Sequence, residues 1–349
     1  MAALALVAAV GFAVSRGQTP TPTPEASTSG APGTTTSATT IAGVRTVDLP
    51  TTGQPTGSRV LPYAVDGDYH SAAGTDQIGP WGALEDVLRL PGGNRVVTVN
   101  QAGPVRMTLT DSGGTTIADL GPLESRVEAN RGTRFAYVDG SDGRLSVRDT
   151  GGREVAALPK VGLEARVVGF AGPAVFYTSK GSTFRWDTTT TRPAEWRQAE
   201  MVAFNDSTRT AVGQSATECF AVLRVDTPSQ ATRRLDCQGQ DVRGVTGDGR
   251  YVIAWDTPTG PEEESKVLLV DVTTGKPAFA VRVPPGTSVV QAGYRTSPVP
   301  RTLVLSTITP DGRNRLVGCP TDGTCAILTE PKPTTGDPDA PAPYIISRD

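Results

Sequence analysis

Apolar and polar residues alternate along most of the chain in short runs that are separated by glycine turns. The clearest case is residues 134–159, RFAYVDGSDGRLSVRDTGGREVAALP. Its runs at 135–138, 145–149 and 155–158 are separated by Asp-Gly and Gly-Gly sequences. Alternation with a period of two between such turns predicts short antiparallel strands. No segment beyond residue 16 has a helical period of useful length, so the pattern predicts an all-β protein.

The strand pattern repeats along the chain. An aspartate closes the third predicted strand of successive units, with spacings of 38, 38, 39 and 45 residues. These aspartates are Asp111, Asp149, Asp187, Asp226 and Asp271. Repeats of about 40 residues with four strands each are typical of the blades of a β-propeller. Because one blade leaves both faces of its sheet uncovered, the blades are expected to stack in a ring.

The predicted propeller spans residues 42–331. Six units are regular, and a degenerate first unit at 42–82 makes the prediction a seven-bladed β-propeller, with six or eight blades as alternatives. The regular units are 83–122, 123–160, 161–198, 199–239, 240–285 and 286–331. A Pro-rich tail follows at 332–349. Either its β-prone run at 344–347 or the run at 44–49 could complete the first or the last blade.

The amino-terminal residues predict an anchor and a spacer. Residues 1–14 are uniformly apolar, but 14 residues are too few to span a bilayer, which needs about 20. We therefore interpret residues 1–16 as a truncated transmembrane or signal-anchor helix. Residues 17–40 are almost entirely Thr, Ser, Pro, Gly and Ala, which predicts a disordered, extended linker. The expected location is the cell membrane, with a single pass and the domain outside the cytoplasm, or secretion.

The cysteines agree with a domain outside the cytoplasm. They form two close pairs, Cys219 with Cys237 and Cys319 with Cys325, and each pair flanks a turn-like segment. Antiparallel strands joined at such turns would place the partners within reach of a disulfide. Neither pair has the spacing of a zinc site. We predict two disulfides, with buried free thiols as the alternative.

Charge and composition exclude several classes of function. The net charge of −3 is too small to attract nucleic acid. The protein is expected to be a monomer. The single histidine, His70, excludes a histidine-rich metal site and would have to serve any Ser-His-Asp or Cys-His catalytic pair. Its place beside a turn favours a packed or surface histidine on a strand. No catalytic residue, bound metal or cofactor is predicted, although calcium held by carboxylates and carbonyls stays open.

An acidic residue recurs every 36 to 41 residues at the predicted entry to the blades. The recurring acids are Glu85, Glu124, Glu164, Glu200 and Asp241, and three are followed two residues later by Arg126, Arg166 and Arg243. Residues i and i+2 share one face of a strand, so the pattern predicts carboxylates over guanidinium groups at the mouth of a central channel. Either these groups bind a cationic or mixed-charge ligand, or they pair between neighbouring blades and only solvate the channel.

Two segments resemble known propeller families. TGDGRYVIAW at 246–255 has Asp-Gly-Arg before a strand, and LLVDVTTGKPAFAV at 268–281 has Asp-x-x-x-Gly after one. In these features the chain is similar to secreted or membrane-anchored TolB-like and WD-repeat-like propellers of actinobacterial type. Trp186-Asp187 stands where the Trp-Asp dipeptide stands in WD repeats, whereas their Gly-His dipeptides are missing. The resemblance covers roughly 42–331 and implies a fold rather than an activity.

This organisation favours one function and leaves two alternatives. A tethered propeller with no catalytic constellation favours a non-catalytic module that binds a protein, a peptide or a cell-envelope polymer. The first alternative is a calcium-dependent propeller enzyme for lactone or glycan hydrolysis, in which channel carboxylates would hold the ion. The second is a sensor domain with a cytoplasmic amino-terminal portion.

Overall fold

Seven small sheets form the domain in the computed structural model of the chain. The structure describes residues 38–41, 43–58, 60–78, 83–100, 105–123, 127–130, 133–214, 220–225, 231–234, 240–256, 265–296, 300–335 and 341–348. Six sheets contain four consecutive strands in an antiparallel meander, and the seventh takes three consecutive strands and one from the carboxyl terminus. The fold is therefore a seven-bladed β-propeller, and the prediction of an all-β propeller with seven blades is confirmed.

Blades 2 to 7 follow one another along the chain, each running from its innermost to its outermost strand. Blade 2 contains β6 (Ala83–Arg89), β7 (Arg95–Asn100), β8 (Arg106–Thr110) and β9 (Thr116–Pro122). Blade 3 contains β10 (Glu128–Asn130), β11 (Arg134–Val138), β12 (Leu145–Asp149) and β13 (Glu154–Leu158). Blade 4 contains β14 (Arg166–Ala171), β15 (Ala174–Ser179), β16 (Ser182–Asp187) and β17 (Ala194–Arg197).

The second half of the ring has the same plan. Blade 5 contains β18 (Met201–Asn205), β19 (Thr210–Gln214), β20 (Phe220–Arg224) and β21 (Ala231–Arg234). Blade 6 contains β22 (Gln240–Val245), β23 (Tyr251–Asp256), β24 (Ser265–Asp271) and β25 (Pro277–Val283). Blade 7 contains β26 (Ser288–Arg295), β27 (Thr302–Ile308), β28 (Arg313–Pro320) and β29 (Ala326–Ile327), and β30 (Lys332–Pro333) pairs with β28. Within the described residues the one helix is a 3₁₀ turn at Pro91–Gly93.

Blade 1 combines residues from both parts of the chain. Its strands β3 (Tyr63–Val65), β4 (Asp68–Ser71) and β5 (Gly74–Gln77) are completed on the inside by β31 (Ile345–Ile346). Beyond β31, Arg348 forms a parallel bridge with Leu88 of blade 2. The carboxyl-terminal strand therefore joins the first and second blades, and the ring is closed by non-neighbouring segments of sequence.

The amino-terminal strands belong to blade 6 and not to blade 1. β2 (Val44–Asp48) pairs in parallel with β25, and β1 (Ala38–Ile41) forms a hairpin with β2. Val47 is buried in the cluster between blades 6 and 7, which explains why β2 adds to the outer edge of that sheet. β1 includes residues 38–40, the last three of the range predicted as linker. The predicted anchor and residues 17–37 lie outside the described residues.

Alternate residues of each strand face opposite neighbours, which explains why many strands are apolar throughout. In β11, Phe135 and Tyr137 pack in the cluster shared with blade 2, whereas Ala136 and Val138 pack in the cluster shared with blade 4. The described residues form seven buried clusters, and each cluster joins two neighbouring blades. The hydrophobic core therefore lies between the blades, and each blade depends on its neighbours for burial.

The regularly spaced aspartates cap the turn between the third and fourth strands. Oδ1 of Asp149 accepts hydrogen bonds from the backbone N–H groups of Gly151 (3.1 Å) and Arg153 (3.0 Å). Asp111 and Asp271 accept from the following turn in the same way. The backbone N–H and the hydroxyl of Thr189 hold the pKa of Asp187 below its ordinary value. The repeat is thus a repeat of Asx turns, with Asp226 outside the described residues.

A disulfide links Cys319 and Cys325, at the end of β28 and just before β29. Both cysteines are buried in the cluster between blades 6 and 7. The other predicted pair, Cys219 and Cys237, lies outside the described residues. Over the part of the chain that the structure describes, no helix is long and apolar enough to cross a membrane.

Candidate functional site

The innermost strands surround the channel and provide the candidate site. Each of blades 2 to 7 is the same meander, so the innermost strands begin at one common end of the channel. Three predicted site residues, Arg166, Asp241 and Arg243, lie within the first four residues of β14 or β22. Glu85 is the third residue of β6, whereas Glu164 and Glu200 stand just before β14 and β18. Glu124 and Arg126 lie outside the described residues.

The structure brings together the acid and the arginine of blade 6. Oδ2 of Asp241 lies 2.6 Å from Nη2 of Arg243, and both side chains are about half exposed. The guanidinium carbon of Arg243 stands 4.3 Å from the centre of the Trp255 ring, on the neighbouring strand β23. Stacking and ion pairing together hold this guanidinium in one orientation while leaving it open to solvent.

Two of the other predicted acids, Glu164 and Glu85, have local partners within their own blades. Oε1 of Glu164 accepts a hydrogen bond of 2.8 Å from the hydroxyl of Ser179. Its own backbone N–H, the Ser179 hydroxyl and the charge of Lys180 hold the pKa of Glu164 below its ordinary value, so this exposed carboxylate is charged at neutral pH. Oε1 of Glu85 accepts a hydrogen bond of 3.1 Å from the amide of Asn100. Glu200 is exposed.

A β-bulge recurs in the innermost strands, which the sequence analysis did not anticipate. In five blades the register between the first and second strands skips one residue of the first strand. The skipped residues are Glu85, Val168, Val202, Arg243 and Val290. A bulge re-aims a side chain away from the regular alternation of the strand. No motif in the sequence marks the position, because glutamate, valine and arginine all occupy it.

Two of the bulge residues expose apolar surface at the channel. Val202 and Val290 are 40% and 37% exposed, although they lie on innermost strands whose other apolar residues are largely covered. Arg243, at the same position in blade 6, is also exposed. The bulges therefore leave apolar and cationic groups accessible near the start of the innermost strands of blades 5, 6 and 7.

On the side of blades 1 to 3, an arginine from the carboxyl terminus joins the innermost strands. The guanidinium of Arg348 contacts Asp86 of β6 and lies 3.0 Å from Oε1 of Glu128 in β10. Nη2 also donates to the backbone carbonyl of Val127. Burial alone would lower the pKa of Arg348, but the charges of Asp86 and Glu128 raise it above its ordinary value. The charges of Arg348, Asp86 and Glu128 therefore pair with one another, whereas the groups described in blades 4 to 7 are exposed.

His70 and Trp186 have structural surroundings. No group of three or more His, Cys, Asp or Glu side chains stands close enough to hold a metal ion, within the residues that the structure covers. His70 stacks on Tyr63 with ring centres 4.8 Å apart, and its Nδ1 lies 3.1 Å from the Thr75 hydroxyl. Trp186 is buried between blades 3 and 4, and its ring N–H donates to the carbonyl of Thr190.

Comparisons with known proteins identify the same fold. No protein-family model and no curated protein sequence matches the chain. A chain of the mitotic checkpoint complex aligns with a TM-score of 0.53 and 10% identity, over 83% of this chain and 87% of that one. The β-propeller domain of Cps50 (Swd1) from Myceliophteria thermophila aligns with a TM-score of 0.50 and 9% identity, over 78% and 90%. TolB from Acinetobacter baumannii aligns with a TM-score of 0.45 and 14% identity, over 78% and 64%.

At these identities the two solved structures with TM-scores of at least 0.50 carry information on the fold alone. They are β-propellers or parts of protein assemblies by their descriptions, and their sequences share little with this chain. The chain is therefore placed among β-propellers by its structure.

Proposed function

We propose that the chain is a non-catalytic recognition module that binds a protein, a peptide or a cell-envelope polymer at the end of the channel where the innermost strands begin. The observation that carries the proposal is the exposure of Val202 and Val290 at equivalent bulges. Apolar side chains left accessible on a rigid, concave surface are typical of binding sites rather than of solvated channels.

Charged groups around these valines favour a partner of mixed character. Glu164, Arg166, Glu200 and Arg243 are all exposed near the start of the innermost strands of blades 4, 5 and 6. Exposed charges of both signs contribute to orientation and association rate, while the apolar centre contributes more of the affinity. A polypeptide with apolar and charged side chains fits this surface better than a uniformly charged polymer does.

The amino-terminal sequence supports a tethered position outside the cytoplasm. Residues 1–14 are uniformly apolar and are followed by a Thr/Pro-rich segment with the composition of an extended spacer. The Cys319–Cys325 disulfide agrees with an oxidising compartment. In this proposal the anchor and the spacer hold the propeller at a distance from the membrane, where it meets partners of the cell envelope.

Affinity capture with the full-length chain in detergent tests the binding function. The bait is exposed to a cell-envelope extract, and the captured material is compared between the wild-type chain and the variant V202K/V290K. Lysines in place of these two valines are expected to lower the captured amount at least about tenfold, because a hot-spot position typically contributes about 2 kcal/mol. Binding of the purified partner is then measured by titration calorimetry.

The matched control is V155K. Val155 is 38% exposed, as Val202 and Val290 are, but it lies on β13, the outermost strand of blade 3. V155K is expected to capture the partner as the wild type does. Undiminished capture by V202K/V290K, or an equal loss in V155K, would contradict a binding site at the channel.

A further inference from the structure

A pocket beside blade 7 is lined by a buried arginine, Arg315, whose charged group has few contacts. The cavity has a volume of about 510 Å³ and opens between the turn from β27 to β28 and the segment that follows β2. Its walls include Thr51, Pro310 and Pro331, and its charged groups are Asp311, Arg313 and Arg315. Cavities of this size are typical of sites for small molecules or single side chains.

The alternation of β28 explains how two arginines come to line this cavity. Val317 and Cys319 lie on the face of β28 that packs against blade 6, and Leu316 lies on the opposite face, against blade 1. Arg313 and Arg315 continue the face of Val317 towards the beginning of the strand. The interface between blades 6 and 7 thus ends in a cationic cavity and not in apolar packing.

Arg315 has few contacts for a buried charge. The residue is 6% exposed, and its Nη2 donates a hydrogen bond of 2.7 Å to the carbonyl of Thr51. Its Nε is buried and has no hydrogen-bond partner among the described residues. Burial lowers the pKa of Arg315, and the charge of Asp311 opposes this effect only in part. An incompletely paired guanidinium in such a place costs folding free energy, and a bound anion would offset that cost.

The acidic residue among the described lining residues bonds to its neighbours in the pocket. Asp311 accepts a hydrogen bond from the hydroxyl of Thr309, and its Oδ2 lies 3.3 Å from Nε of Arg313. The three charged lining residues therefore carry a net charge of +1, and the excess charge belongs to Arg315. A second carboxylate that entered the cavity would meet donor groups on Arg315 that no atom of the described residues uses.

We propose that this pocket is a binding site for a carboxylate group, which Arg315 would hold with its free N–H donors. A planar guanidinium matches a carboxylate with two parallel hydrogen bonds, and the proline walls accommodate the aliphatic part of the ligand. The carboxylate belongs either to a small organic acid or to an acidic side chain of a peptide. The site lies away from the innermost strands and does not depend on the recognition surface proposed above.

Titration calorimetry with the full-length chain at fixed ionic strength tests this site and its ligand class. The probes are succinate, the peptide acetyl-Gly-Glu-amide, its uncharged counterpart acetyl-Gly-Gln-amide, and inorganic phosphate. We expect saturable binding of at least one carboxylate probe, no binding of the glutamine peptide, and weaker binding of phosphate. Tighter binding of succinate than of the glutamate peptide would indicate a small acid, and the reverse order would indicate a peptide side chain.

The variant R315M is expected to weaken carboxylate binding about tenfold or more, since it removes charge-assisted hydrogen bonds. Its stability in urea is expected to equal or exceed that of the wild type, because the variant removes a poorly paired buried charge. R315K, which keeps the charge without the planar fork, is expected to bind more weakly than the wild type even if R315M fails to fold.

The matched control is R95M. Arg95 is also buried, at 3% exposed, but it lies in blade 2, where its Nη2 is 2.6 Å from Oδ2 of Asp76. R95M changes the net charge equally and is expected to retain carboxylate binding while losing stability. Wild-type affinity in R315M or R315K, absence of saturable carboxylate binding, or tighter binding of phosphate would overturn the proposal.

Discussion

Single residues decide where the chain reverses direction. Asp66 and Gly67, between β3 and β4, have φ angles of +52° and +87°. Two positive φ angles in succession form the type of turn whose twist matches a two-residue hairpin, and glycine adopts the second one without strain. In the turn between the third and fourth strands of a blade, an aspartate carboxylate accepts hydrogen bonds from backbone N–H groups of the turn. These two turns thus use different residue chemistry.

Removal of one capping carboxylate is expected to destabilise the whole domain modestly. In D149A, the N–H groups of Gly151 and Arg153 lose their acceptor, and Nε of Arg153 loses an oxygen at 3.2 Å. The free energy of unfolding should fall by about 1 kcal/mol, the usual net value of such hydrogen bonds. Equilibrium unfolding in urea measures the change.

Two variants show whether the cap is the cause. D149N keeps a side-chain oxygen as an acceptor and is expected to lose clearly less stability than D149A. E195A removes an exposed carboxylate from β17 and should change the free energy of unfolding by less than about 0.5 kcal/mol. Equal losses in D149A and D149N would show that charge, and not the hydrogen bonds of the turn, is responsible.

At the scale of the element, the innermost and outermost strands of a sheet differ in how their free edges are treated. An innermost strand has a paired strand on one edge only, and its bulge changes which side chains face the channel. Outermost strands differ in length and in what covers them: β9 has seven residues, whereas β25 pairs with β2 on its outer side. β29 contains only two residues, and it pairs with β28 through Val317 and Gly318. The disulfide beside β29 provides a covalent link where the ladder has only two residue pairs.

Loss of this disulfide is expected to destabilise blade 7. Cys319 and Cys325 are separated by six residues, and closing a loop of this length restricts the unfolded chain by about 2 kcal/mol. C319A/C325A should therefore lower the free energy of unfolding by about that amount, with a further contribution from the packing of two buried sulfur atoms. Urea unfolding with and without reductant separates the two effects.

Reductant should lower the free energy of unfolding of the wild type towards that of C319A/C325A. In the double variant, blade 7 has no disulfide to reduce and should not change. The disulfide does not stabilise this hairpin if a concentration of reductant that breaks the bond, as shown by thiol labelling, leaves the unfolding curve of the wild type unchanged.

At the scale of the whole molecule, the ring depends on one short strand. Ile345 packs in the cluster of blades 1 and 2, and Ile346 packs in the cluster of blades 7 and 1. Two adjacent residues thus contribute to two of the interfaces between blades. The backbone of β31 pairs with β3, and Arg348 continues to Leu88 of β6.

The variant I345A/I346A is expected to lose about 4 kcal/mol or more, because truncation of a buried isoleucine to alanine typically costs 2–5 kcal/mol. Hydrogen exchange followed by mass spectrometry should detect the largest acceleration in β3, β6 and β26, which border β31. The control I117A removes an isoleucine that is 43% exposed on β9 and should leave exchange in these strands unchanged. A uniform acceleration in all seven blades would argue against a local closure.

Much of the ring could be predicted from the sequence, because turn chemistry and alternation are local. The spacing of Asp111, Asp149 and Asp187 indicated the blades, since each of these residues acts on the turn next to it. Pairing between distant segments leaves no such local pattern. The sequence therefore left open which terminal strand completes blade 1, and it contained no sign that β2 would join blade 6.

The candidate sites illustrate the same limit. The acidic residues before the innermost strands were visible as a repeat, but the bulges that expose Val202 and Val290 depend on a register between two strands. The burial of Arg315 depends on Thr51, which is 264 residues away in the sequence. Exposure and burial of this kind follow from the assembled ring and could not be derived from spacing.

The closing strand also has a consequence for biogenesis. A ribosome makes β3 near the beginning of the domain and β31 among its final residues, so a nascent chain contains most of seven blades before it contains the strand that joins the first to the last. Until then the inner edge of blade 1 is open to pairing with another polypeptide. A translation stop shortly before Ile345 would therefore release a product that contains most of the propeller with a permanent gap, a substrate for chaperones and proteases.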